Sequence, residues 1–282
     1  MATQDMNRGA IPANKATEIL AGAAEISAFM QLVPQVSLPG NGQEIKVLLG
    51  DPTAAWVAET APKPRNNPTL GTKVLKPSKL AFIETFSMEF RRDYESVFNQ
   101  LIARAPSALA KAFDNTIAGG VAAPDSNFDQ LSGATAVNIA TGTYGALVGA
   151  DGAIATAGGA TSGIAGSPAL RSLLLGATDT TGRPLFIDNA MVGQQPTVIG
   201  LPSAYGRGVA NGTTIGFIGD FTLARWGTTG GIEVTFTDQA SIVLADDSVI
   251  NLFQDNMFAV RVEVSIGFIV ADNKYFRKLT NA

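Results

Sequence analysis

From Phe258 to Val270 every second position holds a large apolar side chain: Phe258, Val260, Val262, Val264, Ile266, Phe268 and Val270. Successive side chains of a strand point to opposite faces, so this spacing predicts one uninterrupted strand with an apolar face. At ~3.3 Å per residue it reaches roughly 43 Å, about twice the length of an ordinary strand. In the first half of the chain Tyr94, Val97, Phe98, Leu101, Ala105, Leu109, Ala112, Phe113 and Ile117 recur in steps of three and four. That pattern predicts a long helix, capped by Asp93 and stopped at Gly119-Gly120. Pro106 lies inside it and removes the bond to the carbonyl of Ile102, so a kink or two abutting helices are expected there. One long helix early and one long strand late, with a loop-rich module between them, predict an elongated α+β molecule.

The shorter elements follow from local pattern. Ile19, Leu20, Ala23, Ile26 and Met30 sit at helical spacing after Thr17-Glu18, and Pro34 ends that helix. Val33 to Leu38, Gln43 to Leu49, Thr69 to Leu75 and Lys79 to Phe86 are expected strands. Between the second and third of these, Trp56-Val57-Ala58-Glu59 is followed by Pro62, Pro64 and Pro68, which predicts a long hairpin or open loop. Residues 119–182 hold thirteen glycines, so loops are expected, with one short helix from Pro168 to Leu175. Extended runs then return at Leu185-Phe186-Ile187, Thr197 to Leu201, Thr214 to Ile218 and Ile232-Val234-Phe236.

Composition removes most chemistry. The 282 residues are 46% hydrophobic and 16% charged, enough for a sizeable core in one large domain or two, and they include no cysteine and no histidine. Disulfides, thiolate zinc sites, iron–sulfur clusters, the commonest general base and the commonest transition-metal ligand are therefore absent. A net charge of −4 gives the whole surface no attraction for nucleic acid. The polar start, Met1 to Ala10, lacks the apolar run of a signal peptide, and the most apolar window, 146–165, is broken by Asp151 and five glycines. A soluble protein made in the cytoplasm is expected, with no membrane partner.

Each candidate motif fails on spacing. Gly176 to Arg183 has five residues between its glycines and then Arg183-Pro184, where a phosphate-binding loop needs four and then Lys-Ser/Thr. Tyr205-Gly-Arg-Gly-Val-Ala-Asn-Gly has the wrong interval for a dinucleotide fingerprint. Ser107 and Lys111 miss the Ser-x-x-Lys arrangement. Asp246-Asp247 and the pair Asp125/Asp129 lack a calcium-loop register and are expected to be solvated turn carboxylates. Asn211-Gly-Thr213 is expected to be a turn. No catalytic residue, cofactor or metal is expected, and the chain is expected not to be an enzyme; an unrecognised activity using Asp, Ser or Lys is the alternative class.

What remains are two segments with too few large apolar residues to bury themselves, an arm at 1–32 and the hairpin at 43–76. Extended backbone and isolated apolar groups such as Trp56 need a receiving surface. Another copy of the chain is the expected receiver, through a heterologous contact.

At this point the chain resembles the major capsid proteins of tailed bacteriophages, whose shell fold is shared with encapsulins. Three groups of residues carry the resemblance. Trp56-Val57-Ala58-Glu59-x-x-Pro62-Lys63-Pro64, then Lys79-Leu-Ala and Ser87-Met-Glu-Phe-Arg-Arg-Asp93, resemble that family's extended loop running into its spine helix. Gly219-Asp220-Phe221 with Gly231-Ile-Glu-Val resembles the end of its axial domain. Asn256-Met-Phe-Ala-Val-Arg-Val-Glu-Val with Lys274-Tyr-Phe-Arg-Lys-Leu resembles the return strand of its peripheral domain.

The resemblance implies an N-terminal arm at 1–32, a strand and extended loop at 33–76, and a peripheral domain beginning with the spine helix at 77–135. It further implies an axial domain at 136–237 and peripheral return strands at 238–282. It also implies pentamers and hexamers closing into an icosahedral shell around double-stranded DNA, in a virion assembled in the host bacterial cytoplasm. A portal and possible decoration proteins are implied partners. Some members begin with a scaffolding segment; this chain starts directly in the arm, so a separate scaffolding protein is expected. Some members form covalent lysine–asparagine links from the loop, and Lys63 stands at the matching position. An encapsulin shell enclosing cargo enzymes is the alternative. Within this frame Trp56, Glu59, Lys63, Arg65, Lys73 and Lys76 are expected at inter-subunit contacts, the four cations meeting acidic groups of adjacent subunits. A loop kept soluble by its own charge is the competing expectation.

Overall fold

The computed structural model describes residues 13–49, 54–60, 62–65, 69–89, 95–140, 142–178, 182–183, 185, 197–244 and 246–281. The expected cap Asp93, the strand at Phe186-Ile187 and the first twelve residues of the arm lie outside them.

The N-terminal segment forms two helices, α1 (Ala13–Ile26) and α2 (Ala28–Leu32), where the periodicity predicted one. Ser27 separates them: its backbone is extended, and its hydroxyl accepts the Met30 N–H at 3.1 Å, capping α2. Strand β1 (Gln35–Ser37) follows, then the antiparallel pair β2 (Gln43–Leu49) and β3 (Thr69–Leu75), a two-stranded sheet of its own. Next come β4 (Ser78–Ser87) and the long helix α3 (Glu95–Ile117). This helix runs unbroken through Pro106, so the expectation of two abutting helices is corrected. The proline ring faces Gly22 of α1, whose missing side chain makes room for it.

The module expected to be loop-rich contains β5 (Thr135–Asn138), the helix α4 (Thr143–Thr156), β6 (Gly163–Gly166) and α5 (Pro168–Leu175). Helix α5 matches its predicted span, since Ser167 caps it and proline suits its first turn. Strands β7 (Thr197–Val198), β8 (Leu201–Tyr205), β9 (Thr214–Gly219), β10 (Ala224–Thr228) and β11 (Glu233–Thr237) follow. A small hairpin, β12 (Ser241–Val243) with β13 (Val249–Asn251), precedes the long β14 (Met257–Val270) and the final β15 (Phe276–Thr280).

Strand β14 organises the first sheet. Its residues 257–266 pair antiparallel with β4 along one edge, and β11 and β10 share the other, with β1 parallel to β10. The second sheet runs β5-β15-β9-β6-β8-β7. Two of these pairings run between segments that the sequence places apart. Strands β10 and β11, placed in the axial segment 136–237, flank β14, where the buried Trp226 donates its indole N–H to the Val33 carbonyl at 3.0 Å and holds β10 beside β1. Strand β15, placed with the return strands 238–282, lies between β5 and β9, because Leu279 buries in the apolar cluster of the second sheet with Ile139, Ile154 and Ile218.

The arm does not project over the residues described. Ile19 and Ala23 of α1 pack with Ala105 and Leu109 of α3. Phe29 of α2 is fully buried between the two sheets, its ring 5.8 Å from Phe217 of β9 and 6.5 Å from Phe268 of β14. The expectation that residues 1–32 cannot bury themselves is therefore corrected for 19–32: the apolar positions are few, but they enter the centre of the core. The hairpin is anchored at its base. Leu75 is buried, and the Leu75-Lys76 backbone lies so close over β14 that a side chain at Gly267 would strike the Lys76 carbonyl.

Helix α4 turns Leu147, Ala150 and Ile154 inward and exposes Gly145, Gly149 and Gly152, around which a β-carbon would meet nothing within 4 Å. A helical glycine in open space only costs conformational entropy. Gly149→Ala is expected to stabilise the unassembled subunit by about 0.5–1 kcal/mol in urea unfolding. A loss of stability would mean that the helix face is covered within the chain.

Candidate assembly interface

The six residues expected at contacts divide into two groups. Trp56, Glu59, Lys63 and Arg65 lie on the stretch joining β2 to β3 and are exposed; the Trp56 side chain is as open as in a free peptide, at 105%. No ion pair engages Lys63 or Arg65 among the described residues. This is an exposed apolar side chain on the same stretch as two cations, and its described backbone makes no sheet pairing.

Lys73 and Lys76, at the hairpin base, are occupied inside their own chain. The Lys73 ammonium donates to the Asp129 carboxylate at 2.6 Å and to the Val270 carbonyl at 2.5 Å, while Asp129 also accepts the Val270 N–H at 2.9 Å. Lys76 stands 3.4 Å from Asp125. Asp125 is held below the usual carboxylate range first by the Asn127 N–H and then by Ser126 and Lys76. Within its own chain Lys73 ties β3 to β14 and to the 125–129 turn, and Lys76, just past β3, reaches the same turn, so Asp125 and Asp129 are not idle turn carboxylates. The division is physical, since the base lies within reach of the body and the tip does not.

Sequence inspection missed a second protrusion. Among the described residues, strands β12 and β13 pair only with each other. Val243 faces Val249 across the pair, and both are more than 60% exposed; Phe253 just beyond is 79% exposed. Leu252 alone buries fully at its foot, its N–H bonded to the Ala240 carbonyl at 3.0 Å. The turn is acidic: Asp246 accepts the Ser248 hydroxyl at 2.6 Å and its N–H at 3.1 Å, which hold the carboxyl below its ordinary range. Two short apolar runs around Asp246-Asp247-Ser248 were the available signal.

A cleft of about 480 Å³ is lined by Glu25, Lys111, Asp114, Arg171, Tyr205 and Arg207. Its buried acid has a structural explanation. Asp114, at the end of α3, accepts Ser27 Oγ at 2.6 Å and the Ala28 and Phe29 N–H groups at 3.0 and 3.4 Å, tying α3 to the start of α2. Gly206 and Gly208, the glycines of the false dinucleotide motif, close against this point; a β-carbon on either would collide with Asp114 or with the Lys111 carbonyl. Burial pushes the Asp114 carboxyl up to about 7 despite those three hydrogen bonds. Among the described residues no group of three acids is placed to hold a metal ion, and no helix is long and apolar enough to cross a membrane.

A family model described as the phage capsid family matches residues 8–281. The chain belongs to the phage capsid family. Its sequence is 31% identical to the probable major capsid protein gp17 of Mycobacterium phage D29, over 98% of this chain and 91% of that one. It is 29% identical to the probable major capsid protein gp17 of Mycobacterium phage L5, over 98% and 90%. Among solved structures, a chain from Mycobacterium phage Ogopogo superposes with a TM-score of 0.74 at 21% identity, covering 92% of each chain. A chain described as "Capsid of empty GTA particle computed with C5 symmetry" superposes at 0.63 and 14% identity, over 100% of this chain and 94% of that one. The α+β architecture is thus a phage capsid fold, and the α2 wedge, the β2–β3 hairpin and β14 are parts of a capsid subunit.

Proposed function

We infer that the protein is the major capsid protein of a tailed bacteriophage, a structural component of the virion that assembles with copies of itself into an icosahedral shell. The observation that carries this is the family match over nearly the whole chain, with the mycobacteriophage L5 and D29 relatives both named probable major capsid protein gp17. The finer features are proposals. Pentamers and hexamers form the shell, which encloses double-stranded DNA and is assembled in the host cytoplasm with a separate scaffolding protein and a portal. The β14 sheet with α3 serves as the peripheral domain and the β9 sheet as the axial domain. Trp56, Glu59, Lys63 and Arg65 lie against an adjacent subunit, supported by the exposure of all four.

A shell needs contacts individually weak enough to correct errors and numerous enough to hold together, and short exposed hairpins suit that role. The net charge of −4 is compatible with packed DNA, because a strongly basic lining would retain the phosphates. The capsid relatives favour this function over an encapsulin compartment. The test is the content of particles purified from infected cells: nuclease-protected double-stranded DNA with portal and tail proteins is expected. A cargo enzyme in place of DNA would overturn the proposal.

A further inference from the structure

The cleft of about 480 Å³ beside Asp114 carries more positive charge than its own chain answers. Lys111 from α3, Arg171 from α5 and Arg207 from the turn after β8 line it, with Glu25 as its one exposed acid. Asp114 is engaged elsewhere: its oxygens accept Ser27 Oγ and the Ala28 and Phe29 N–H groups. Among the described residues no ion pair engages Lys111, Arg207 or Glu25.

The backbone fixes where these cations stand. Arg207 lies between Gly206 and Gly208, and the turn packs so closely on α3 that a β-carbon at Gly208 would collide with the Lys111 carbonyl. The Gly206 N–H donates to the Gly166 carbonyl at 2.8 Å, which ties the same turn to β6. The Arg171 guanidinium lies over the Tyr205 ring, 5.8 Å from its centroid, and is braced there. Like charges held on neighbouring segments repel one another and oppose the compact state. An excess of cations that the chain places firmly and does not neutralise points to an anion from outside.

We propose that this cleft binds a small phosphate-bearing dianion, a phosphomonoester or pyrophosphate, through Lys111, Arg171 and Arg207. Three cations against one exposed acid leave an excess of two positive charges, which a phosphomonoester of about −1.5 to −2 near neutral pH matches. Guanidinium groups meet phosphate oxygens through paired N–H donors, and a lysine adds a point charge. The volume falls in the range of roughly 300–1,000 Å³ typical of small-molecule sites, and the half-open Ile26 with Pro168 gives the cleft an apolar margin for the organic part. A backbone phosphate of duplex DNA carries a single charge and fits that count less well. Because the lining comes from α1, α3, α5 and the end of β8, a bound anion braces four elements of one subunit and stabilises its fold, with or without a shell.

The test is isothermal titration of the unassembled subunit with inorganic pyrophosphate at pH 6, where Asp114 is mostly protonated, together with its melting temperature. Saturable binding of one pyrophosphate per chain is expected, with a rise in melting temperature of about 3 °C or more at saturation. Lys111→Gln/Arg207→Gln is expected to weaken binding by about tenfold or more and to abolish the rise. Without ligand this variant should melt no lower than the wild type, since a repulsion has been removed. Two cations lost elsewhere, in Lys46→Gln/Lys79→Gln, should leave the binding unchanged. Absence of saturable binding by the wild type, equal weakening in the two double variants, or binding of a short DNA duplex with no response to pyrophosphate overturns the proposal and leaves the shell assignment standing.

Discussion

Phe29→Ala is expected to destabilise the subunit by about 3–5 kcal/mol, the cost of emptying a fully buried phenylalanine site that cannot collapse. The size follows from position. Phe29 has no exposed surface and stands 5.8 Å from Phe217, 6.3 Å from Phe221 and 6.5 Å from Phe268, so a single side chain from the N-terminal segment bridges the two sheets. Urea unfolding of the unassembled subunit measures the loss. A change below about 1 kcal/mol would mean that α2 is not part of the core.

The second large effect is a pH dependence centred on Asp114. Burial raises its folded-state value from 3.8 to about 7, so the native state binds this proton more tightly than the unfolded chain does. Stability from this group is complete below about pH 4 and is lost as pH rises toward 7, a difference on the order of 4 kcal/mol. Asp125 and Asp246, whose values are lowered, act in the opposite direction but only at more acidic pH. The cleft beside Asp114 is also lined by Glu25 from α1, Lys111 from α3, Arg171 from α5, Tyr205 at the end of β8 and Arg207 just past it, but the raised value follows from burial, opposed by the hydrogen bonds from Ser27, Ala28 and Phe29. Comparison of the wild type with Asp114→Asn isolates the carboxyl. Wild-type stability is expected to fall between about pH 4 and pH 7 more steeply than that of the variant; equal slopes would show that Asp114 does not titrate there.

What could be read locally was legible in the sequence. Strands β2 and β3 occupy their predicted spans, and the alternation predicted from Phe258 to Val270 is β14 with one residue added. Other features depend on distant partners. The break at Ser27 exists because Asp114, 87 positions away, accepts its hydroxyl, and no periodicity within 17–30 contains that information. Helix α4 was hidden by its glycines and by apolar residues on both faces, with Tyr144 and Val148 outward and Leu147 and Ile154 inward. Strand β15 pairs with β5, about 140 residues earlier, so its sheet could not be assigned locally.

The candidate interface divides along the same line. Exposure of Trp56, Lys63 and Arg65 follows from a proline-punctuated stretch without apolar periodicity. The occupation of Lys73 and Lys76 by Asp129 and Asp125 is a tertiary fact. Strands β12 and β13 are three residues each, too short for a side-chain alternation to mark them in the sequence.

The most direct measurement is electron microscopy of the purified protein after assembly, at a resolution that traces the chain. The account predicts closed shells in which residues 54–65 of each subunit lie on a neighbouring copy. A protein that stays monomeric at micromolar concentration and above, with that stretch folded against its own body, would contradict it.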